Sequence, residues 1–337
     1  MAAVNYFHCF IISILFFLSF HTDTAFSQRC HPNDKKALLE IRKYLNSPPN
    51  SNLISAWDPR TDCCDWNQVV QCDGATNRIT IFNLLLADLN RPIPAAVFDL
   101  VFLEELYFHE TNLTGGIPRA ITQLSRLKYL DLSLNHLSGT IPSFLGHLKN
   151  LVSIDLSYNQ FTGSIPASLS QIPNLNTLFL DRNNLTGGIP ATFSDFRQGE
   201  FFLYASRNHL SGEIPRKLGE VNFKLIDVSR NMLEGDISFL FGKNKSLIYA
   251  DFSSNLLRFD FSTVEYFPTS LGTLDLSHNR ITGSLPVGLV DLNLDRLNVS
   301  YNRLCGQIPV GGQLQGFETT SYFHNKCLCG APLIKCK

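Results

Sequence analysis

One pattern recurs along this chain of 337 residues at intervals of 23 to 25 residues. The string LDLSHNRITGSLP occupies residues 274–286, and close copies stand at 130–142 (LDLSLNHLSGTIP) and 154–166 (IDLSYNQFTGSIP). We number each copy from its asparagine, which is position zero. The asparagines of successive copies are Asn135, Asn159, Asn183, Asn208, Asn231, Asn255, Asn279 and Asn302. A period of this length is typical of proteins built from stacked coils.

Extending the period toward the N-terminus places Thr111 and then Ala87 at position zero, which gives ten repeats over residues 79–309. In the motif LxxLxLxxNxLxGxIP, the LxLxx segment alternates sides as a β-strand does, so its leucines face inward. The asparagine can satisfy backbone groups where the chain turns, the glycine permits the turn, and the proline suits the irregular outer side. No repeat can bury its leucines alone, so stability comes from stacking. The pattern predicts an α/β repeat solenoid, a right-handed leucine-rich-repeat coil of ten 24-residue repeats with a concave parallel β-sheet.

The ends of such a coil need caps, and the cysteines lie at both ends. Of nine cysteines, Cys9 falls in an apolar leader and the other eight form two groups: Cys30, Cys63, Cys64 and Cys72, then Cys305, Cys327, Cys329 and Cys336. An even number of cysteines in a secreted chain indicates disulfides, and neither group has the paired spacing of a zinc site. We therefore predict an N-terminal cap at 28–78, with an amphipathic helix over 34–45, and a C-terminal cap at 310–337.

Residues 1–27 are typical of a secretory signal peptide, because a short apolar run at 7–20 is followed by small residues. We expect a secreted, monomeric protein with no membrane anchor, no cofactor and no metal. The formal net charge of −1 and the absence of a basic cluster argue against a nucleic-acid partner. In a secreted chain the N-x-[ST] sequons are glycosylation candidates. They begin at Asn112, Asn184, Asn244 and Asn298.

Outward strand positions that vary among the repeats are candidates for partner binding. Position −4 holds a row of aspartates interrupted by aromatics: Asn83, Tyr107, Asp131, Asp155, Phe179, Tyr204, Asp227, Asp251, Asp275 and Asn298. The aspartate is also a habitual residue of this repeat, but aligned carboxylates cost free energy that a cationic partner would relieve. The aromatic residues Phe179 and Tyr204, and the pair Tyr107 and Tyr129, resemble binding hot spots, although packing against each other is an equal alternative.

Position −1 is arginine in three successive repeats, at Arg182, Arg207 and Arg230. These arginines could pair with the aspartates, contact an acidic protein or polysaccharide, or form a solvated edge. His109 and Glu110 lie on the same face, where a lone histidine is more often a surface group than a catalyst. The serine that dominates position −2 fits local hydrogen bonding in the strand. Since no GxSxG, HExxH or phosphate-binding glycine loop occurs, we expect no enzyme activity.

The chain resembles the plant polygalacturonase-inhibiting proteins across its mature length. The resemblance rests on the plant-type LxGxIP repeat, on RCHPNDKKALLEI and DPRTDCCDW near the start, and on NVSYNRLCGQIPVGGQLQGFETTSYFHNKCLCGAPL at the end. It implies a defence protein of the cell wall that binds fungal or insect endopolygalacturonases on its concave face, with pectin as a further contact. The binding positions that it implies are Glu105, Tyr107, His109, Asp131, Asp155, Phe179, Asp181, Tyr204 and Asp227. The disulfides that it implies are Cys30–Cys63, Cys64–Cys72, Cys305–Cys327 and Cys329–Cys336.

Some repeats depart from the pattern. Thr111 and Ala87 replace the turn asparagine, so we expect irregular first coils, and residues 253–268 lack the GxIP turn. Two other functions remain alternatives. An ice-binding protein of the same architecture would favour a flat array of small polar groups, and the serine column is regular. A developmental or signalling partner that binds a peptide or a receptor would use the same concave face.

Overall fold

The computed structural model describes residues 30–45, 57–66, 69–196 and 199–337. One α-helix, α1 (Pro32–Leu45), precedes the repeats, and the strands are numbered in chain order across three sheets. The concave sheet has eleven strands. They are β1 (Val70–Cys72), β2 (Ile79–Leu85), β3 (Glu105–His109), β5 (Tyr129–Asp131), β7 (Ser153–Asp155), β9 (Thr177–Phe179), β11 (Phe201–Tyr204), β13 (Phe223–Asp227), β15 (Tyr249–Asp251), β17 (Thr273–Asp275) and β18 (Arg296–Asn298). The predicted leader at 1–27, with Cys9, lies outside the described residues.

The strands of the concave sheet follow the repeat order. β1 pairs antiparallel with β2, and from β2 onward each strand pairs parallel with the strand of the next repeat. Within β5, Leu130 is 2% exposed and points into the coil, whereas Tyr129 before it is 38% exposed. This alternation, repeated strand after strand, places the leucines in one continuous core and the other side chains on the concave surface. The predicted solenoid and its parallel sheet are confirmed.

A second, seven-stranded parallel sheet was not predicted. Its strands follow position zero of each repeat: β4 (Thr114–Gly115), β6 (His136–Thr140), β8 (Gln160–Gly163), β10 (Asn184–Gly187), β12 (His209–Glu213), β14 (Met232–Gly235) and β16 (Leu256–Leu257). The glycine of LxGxIP lies in these strands with positive φ, for example 82° at Gly139, which other residues resist. The proline that follows leads into the convex side.

Short 3₁₀ helices form the convex side. In most repeats they lie between the IP dipeptide and the first leucine of the next repeat. Their bounds are Cys63–Asp65, Ala95–Asp99, Arg119–Gln123, Ser143–His147, Ala167–Gln171, Ala191–Asp195, Arg216–Glu220, Ser238–Leu240, Phe261–Thr263, Val287–Asp291 and Thr319–Ser321. Most begin directly after a proline, whose fixed φ suits the entry to a helical turn. Within the described residues no helix is long and apolar enough to cross a membrane.

The position-zero asparagines join successive coils by hydrogen bonds. The Asn135 side-chain amide donates to the carbonyls of Phe108, Leu132 and Ser133 at 2.7, 3.0 and 2.9 Å. Its Oδ1 atom accepts from the backbone amides of Thr111 and Leu113 in the preceding repeat. The Thr111 hydroxyl also donates to this oxygen at 3.0 Å, so the threonine keeps its repeat bonded to the next one, and β3 and β4 form around it.

The N-terminal cap closes the first repeat with a buried ion pair and two disulfides. The carboxylate of Asp34 on α1 is fully buried, forms two hydrogen bonds with the guanidinium of Arg78, and accepts a third from the Ile79 amide at 2.8 Å. Trp57 stacks on Trp66 beneath the sheet, with ring centroids 5.6 Å apart. Disulfides join Cys30 to Cys63 and Cys64 to Cys72. The sulfur atoms that cluster here are therefore in disulfides and not in a metal site.

The C-terminal cap begins as one more turn of the coil. Asn325 stands 23 residues after Asn302, and its side chain donates to the Val299 carbonyl and accepts from the Leu304 amide as a position-zero asparagine would. Strands β19 (Cys305–Gln307) and β20 (Cys327–Cys329) pair in parallel beside it. Disulfides Cys305–Cys327 and Cys329–Cys336 fix this end. All four disulfides are those that the resemblance implies.

The repeat that lacks GxIP has an aromatic cluster in place of the regular turn. The second sheet ends at β16, and after it Phe259, Phe261 and Phe267 pack edge to face with centroids 6.0 Å apart. The Asp260 side chain caps the following 3₁₀ helix by accepting from the Ser262 amide at 3.0 Å. The coil therefore continues through residues 253–268 without the glycine and proline.

Candidate protein-binding face

The concave sheet aligns the predicted partner-binding residues in straight columns. Tyr107 on β3 lies opposite Asp131 on β5, which lies opposite Asp155 on β7, which lies opposite Phe179 on β9. The same register continues from Tyr204 through Asp227 and Asp251 to Asp275 and Asn298. The position −4 column is therefore a physical row on one face, as predicted.

The serines of position −2 hold the aspartates of this row. Where the two residue types coincide, one carboxylate oxygen accepts a hydrogen bond from the serine amide at 2.8 to 3.0 Å. At Ser133, Ser157, Ser229 and Ser277 the hydroxyl also donates to that oxygen, at 2.6 to 2.7 Å. Asn298 repeats the arrangement with its amide oxygen. The predicted role of serine as a local hydrogen-bonding residue is confirmed, and its hydroxyls are mostly engaged.

Burial and repulsion between carboxylates raise the pKa of three aspartates on the concave face. The pKa of Asp155 rises to about 8 because neighbouring groups shield most of the carboxyl from water and the Asp131 carboxylate lies on the next strand. Burial raises the pKa of Asp181 and of Asp251 to about 6, and the charge of Asp227 adds to both shifts. The serine hydrogen bonds act in the opposite direction but do not reverse the shift at Asp155. At mildly acidic pH these three carboxyls hold protons, so the face carries less negative charge than its residue types suggest. Asp155 and Asp251 belong to the position −4 row, and Asp181 stands at position −2.

The N-terminal end of the face is a linked polar group. The Tyr107 hydroxyl donates to Glu105 at 2.7 Å, and Tyr129 lies opposite Glu105 in the sheet register. The Tyr107 hydroxyl thus bonds to a carboxylate of its own strand, and the aromatic pair of Tyr107 and Tyr129 stays a prediction. His109 Nδ1 lies 2.8 Å from Ser133 Oγ and 3.5 Å from Asp131 Oδ2.

This histidine, serine and aspartate are not arranged as a nucleophilic triad. The Ser133 hydroxyl donates to Asp131 at 2.6 Å, and both residues approach the same imidazole nitrogen. A triad needs the serine at one nitrogen and the acid at the other. Ser133 is also 2% exposed, so a substrate would not reach its oxygen. The group fixes side chains on the face and does not provide an activated nucleophile.

Two aromatic rings stand in the middle of the face. Phe179 and Tyr204 stack with centroids 4.6 Å apart and an interplanar angle of 22°. The rings therefore pack on each other, each keeps part of its surface exposed, and their role as a binding hot spot stays a prediction. A pair held in place in this way loses little side-chain entropy when it binds a partner.

The predicted arginines lie along one edge of the sheet. Residues at position −1 have left-handed backbones, with φ between 53° and 57° from Leu86 to His324, and we call them the turn column. The guanidinium of Arg182 lies over the Tyr158 ring, 4.8 Å from its centroid. Burial, together with the charges of Arg182 and Arg230, lowers the pKa of Arg207. The three arginines thus form a basic cluster next to the aspartate row, which keeps open the contact with an acidic partner.

The four sequons differ in the environment of the asparagine. Asn184 and Asn244 are exposed. Asn112 donates its side-chain amide to Asp88 at 2.5 Å. Asn298 lies within β18, where its amide nitrogen is 3.4 Å from Asp275 Oδ2 and Ser300 is 4% exposed.

Comparisons with known proteins support this architecture. Family models of leucine rich repeats match residues 125–185 and 270–292, and a leucine rich repeat N-terminal domain matches residues 31–73. A polygalacturonase inhibitor of Pyrus communis is 53% identical over 327 residues, which is 97% of this chain and 98% of the relative. A polygalacturonase inhibitor of Vitis vinifera is 53% identical over 92% of both chains. The chain belongs to the polygalacturonase-inhibitor family.

Among solved structures, a plant ice-binding protein superposes with a TM-score of 0.88 at 46% identity, covering 92% of this chain and 99% of that chain. One architecture thus appears in proteins named for different ligands. The polygalacturonase-inhibitor fold alone therefore does not decide the ligand, and the side chains on the faces must do so.

Sequence reasoning missed several contacts on the face. Lys128 at position −7 pairs with Glu104 of the preceding repeat at 2.6 Å, and Tyr158 lies beneath Arg182. The first contact joins position −7 of two successive repeats, and the second joins position −1 of two successive repeats. Comparing columns at position −7 and position −1 would have found them.

Proposed function

We propose that this chain binds endopolygalacturonases of fungi or insects through its concave face and inhibits them in the plant cell wall. The observation that supports this most is the row of acidic and aromatic side chains held in register on one rigid sheet. It occurs in a chain 53% identical, over 97% of its length, to a relative named as a polygalacturonase inhibitor.

The geometry supplies both affinity and rigidity. Phe179 and Tyr204 form the central anchor, since large rigid rings dominate protein interfaces. The group of Glu105, Tyr107 and His109 offers hydrogen-bonding and acidic contacts at one end of the face. The strands are fixed by the asparagine ladder, so little ordering is required on binding. Inhibition follows if the bound chain covers the enzyme's substrate cleft or competes with the pectin chain.

The proposal also includes the predicted binding residues, the role of the arginine cluster, secretion and the monomeric state. The proposed partner-binding residues are Glu105, Tyr107, His109, Tyr129, Asp131, Asp155, Phe179, Asp181, Arg182, Tyr204, Arg207, Asp227 and Arg230. The arginine cluster provides a contact for pectin or for an acidic loop of the enzyme. The protein acts as a secreted monomer without catalysis of its own.

Ice binding is a second candidate because of the similarity to the plant ice-binding protein. A flat array of free hydroxyls would support it. Here the position −2 hydroxyls of Ser133, Ser157 and Ser277 donate to neighbouring aspartates, and Ser133 and Ser277 are at most 4% exposed. The serine column is therefore a poor ice-binding surface, and we favour enzyme inhibition.

An inhibition assay tests the proposal. Purified protein is mixed with a panel of fungal endopolygalacturonases, and the reducing ends released from polygalacturonate are followed. We expect dose-dependent loss of activity for at least one enzyme. If correctly disulfide-bonded protein inhibits no enzyme of a broad panel, the proposal is wrong, and ice recrystallisation becomes the next assay.

A further inference from the structure

The first three coils carry an open cavity beside the N-terminal end of the concave sheet. Its volume is about 350 Å³. It is lined by turn-column residues, which include Leu86, Glu110 and Leu134, and by residues at position +1, which include Asp88 and Asn112. The cavity therefore lies between the concave sheet and the start of the second sheet, outside the position −4 row.

Two leucines stand in the turn column at this cavity, whereas the later coils have polar or aromatic residues there. Leu86 is 74% exposed. The Leu86 amide donates to the His109 carbonyl, and the Glu110 amide donates to the Ser133 carbonyl, each at 3.1 Å. Because bonded coils stand roughly 4.8 Å apart, Glu110 lies between Leu86 and Leu134. Exposed apolar side chains around a polar group are typical of an interaction site.

The charge of the cavity is negative. Asp88 and Glu110 contribute carboxylates, and none of the described residues that line the cavity is a lysine or an arginine. Glu110 is exposed and forms no ion pair with another described residue. Asp88 accepts a hydrogen bond from the neutral side chain of Asn112. A cationic ligand therefore matches the charge of this cavity.

We propose that this cavity, which we call the turn-column subsite, receives one arginine or lysine side chain of the bound endopolygalacturonase. Such a side chain has an aliphatic stem and a charged end. The stem fits against Leu86 and Leu134, and the charged end fits the carboxylate of Glu110. Ligand clefts measure roughly 300–1,000 Å³, so a cavity at the small end of this range suits one side chain and not a segment of chain. The inference rests on the proposed function, because the side chain belongs to the inhibited enzyme.

The subsite adjoins the proposed binding face but shares no residue with it. Glu110 directly follows His109 in the chain, and its negative charge contributes to the raised pKa of His109. An enzyme that contacts His109 needs to extend only one residue beyond the sheet to reach Glu110. Enzymes without a basic side chain at that place gain nothing from the subsite. It therefore contributes to the choice among enzymes, in addition to the strength of binding.

The first test uses n-butylguanidinium as the probe, because it has the stem and the charged end of an arginine side chain. Neutral n-butylurea is the comparison compound. NMR of ¹³C-labelled leucine methyl groups follows Leu86 and Leu134, whose signals are assigned with Leu86→Asn and Leu134→Asn. We expect saturable shifts of both signals with a dissociation constant of about 10 mM, weakened about threefold in Glu110→Gln. No shift with the guanidinium, or equal shifts with the urea, would overturn the inference.

The second test measures inhibition constants for each enzyme that the wild-type protein inhibits. For at least one of them, Glu110→Gln should raise the inhibition constant about threefold and reduce its salt dependence. Leu86→Asn should cause a similar loss with unchanged salt dependence, since it removes only apolar contact. The controls are Glu220→Gln, at an exposed carboxylate, and Val287→Asn, at a side chain 75% exposed. Thermal melting reports whether each variant is folded. Wild-type inhibition by both subsite variants, or equal losses in the controls, would exclude the subsite.

The two tests distinguish a failure of this inference from a failure of the proposed function. If the probe binds but no enzyme is inhibited, the proposed function is wrong and the enzyme is overturned as the source of the side chain. If enzymes are inhibited but the probe does not bind, only the subsite is wrong.

The sequon at Asn112 provides a third test. A glycan on Asn112 would break its hydrogen bond to Asp88 and fill the cavity. We therefore expect Asn112 to be unmodified in protein secreted from plant cells, as measured by glycopeptide mass spectrometry. A glycan at Asn112 in protein that inhibits an enzyme would overturn the inference.

Discussion

The Nδ1 atom of His109 lies 3.5 Å from the Oδ2 atom of Asp131 on the neighbouring strand of the concave sheet. This contact raises the pKa of His109, in the first place through the hydrogen bond with Asp131 and then through the negative charge of that carboxylate. The ion pair joins β3 to β5 at the end of the face where Glu105 and Tyr107 also lie. Its strength therefore depends on pH.

Replacing His109 by alanine should destabilise the protein only below neutral pH. A pKa raised in the folded state contributes stability that is fully present below the unfolded value of about 6.5 and is lost as the pH rises through the folded value. We expect a loss of about 0.5–1 kcal/mol at pH 5, since the pair is partly exposed, and almost none at pH 9. Melting curves of His109→Ala, Asp131→Asn and the double variant measure the coupling. The exposed His147→Ala serves as the control, and an equal loss at both pH values would contradict the ion pair.

Replacing Asp155 by asparagine should stabilise the protein at neutral pH. The folded pKa of about 8 lies above the ordinary aspartate value of 3.8, so the free-energy penalty of the charged form grows as the pH rises from about 4 to about 8. Asparagine can keep both hydrogen bonds from Ser157, as Asn298 does with Ser300. Because the carboxyl keeps some contact with water, we expect a gain of about 1 kcal/mol, or roughly 2–4 °C in Tm, at pH 8.

The same comparison at pH 4 is the internal control for Asp155, because the folded carboxyl is then protonated while the unfolded one is close to its pKa of 3.8, so most of the gain should be lost. Asp291→Asn, at an exposed carboxylate on the convex side, should leave Tm unchanged at both pH values. A gain that is the same at pH 4 and pH 8 would show that the effect does not come from the charge.

The position −4 row could be predicted because the strand period of two and the repeat of about 24 residues together fix which side chains share a column. The pKa of Asp155 could not, since it depends on how deeply neighbouring side chains cover the carboxyl. The bond between Tyr107 and Glu105 was also missed, because it follows from rotamers within one strand. Columns are thus set by the repeat, whereas the contacts within them are set by packing.

Removing either ring of the central aromatic pair should weaken enzyme inhibition without unfolding the protein. Phe179→Ala and Tyr204→Ala each remove an anchor from the middle of the proposed face, where a truncated hot spot costs about 2 kcal/mol or more. We expect the inhibition constant to rise about 30-fold, which that free energy corresponds to. Inhibition assays on the same enzyme measure it, with Tyr266→Ala on the convex side as the control. Unchanged inhibition by both variants would remove the pair from the binding face.

The second sheet and the extra C-terminal turn of the coil were not predicted from the repeat pattern. Strands such as β4 and β16 have two residues each, too few for an alternating pattern to be recognised. The turn at Asn325 could have been predicted, since Asn325 keeps the repeat spacing of 23 residues from Asn302. Its surroundings, SYFHNKCLC, lack the leucines of the motif, and Tyr322 fills the inward position instead. The sequence motif is therefore stricter than the fold requires.

Replacing Asn159, an inward asparagine of the central repeats, should lower the unfolding free energy far more than replacing Asn325 in the C-terminal cap. Asn159 donates to the carbonyls of Leu132, Leu156 and Ser157 and accepts from the Leu137 amide. In Asn159→Ala these buried backbone groups lose their partner, which we expect to cost about 3–5 kcal/mol in unfolding free energy. Asn325→Ala, at a partly buried site with one neighbouring coil, should cost less than half of that. Equal losses of Tm in the two variants would contradict the ladder as the source of the stability.

Glycan occupancy should follow the exposure of each sequon asparagine. Asn184 and Asn244 are exposed, so we expect glycans at both when the protein is secreted from plant cells. The Asn298 side chain holds Ser300 within the concave sheet, and its amide nitrogen faces Asp275, so a glycan there would break both contacts. Intact-mass and glycopeptide mass spectrometry of the secreted protein measure the occupancy, with Asn184→Gln and Asn244→Gln as site controls. A glycan at Asn298 would show that the glycosylating enzyme of the secretory pathway reaches this strand before the sheet forms. It would also place carbohydrate on the C-terminal part of the proposed partner face.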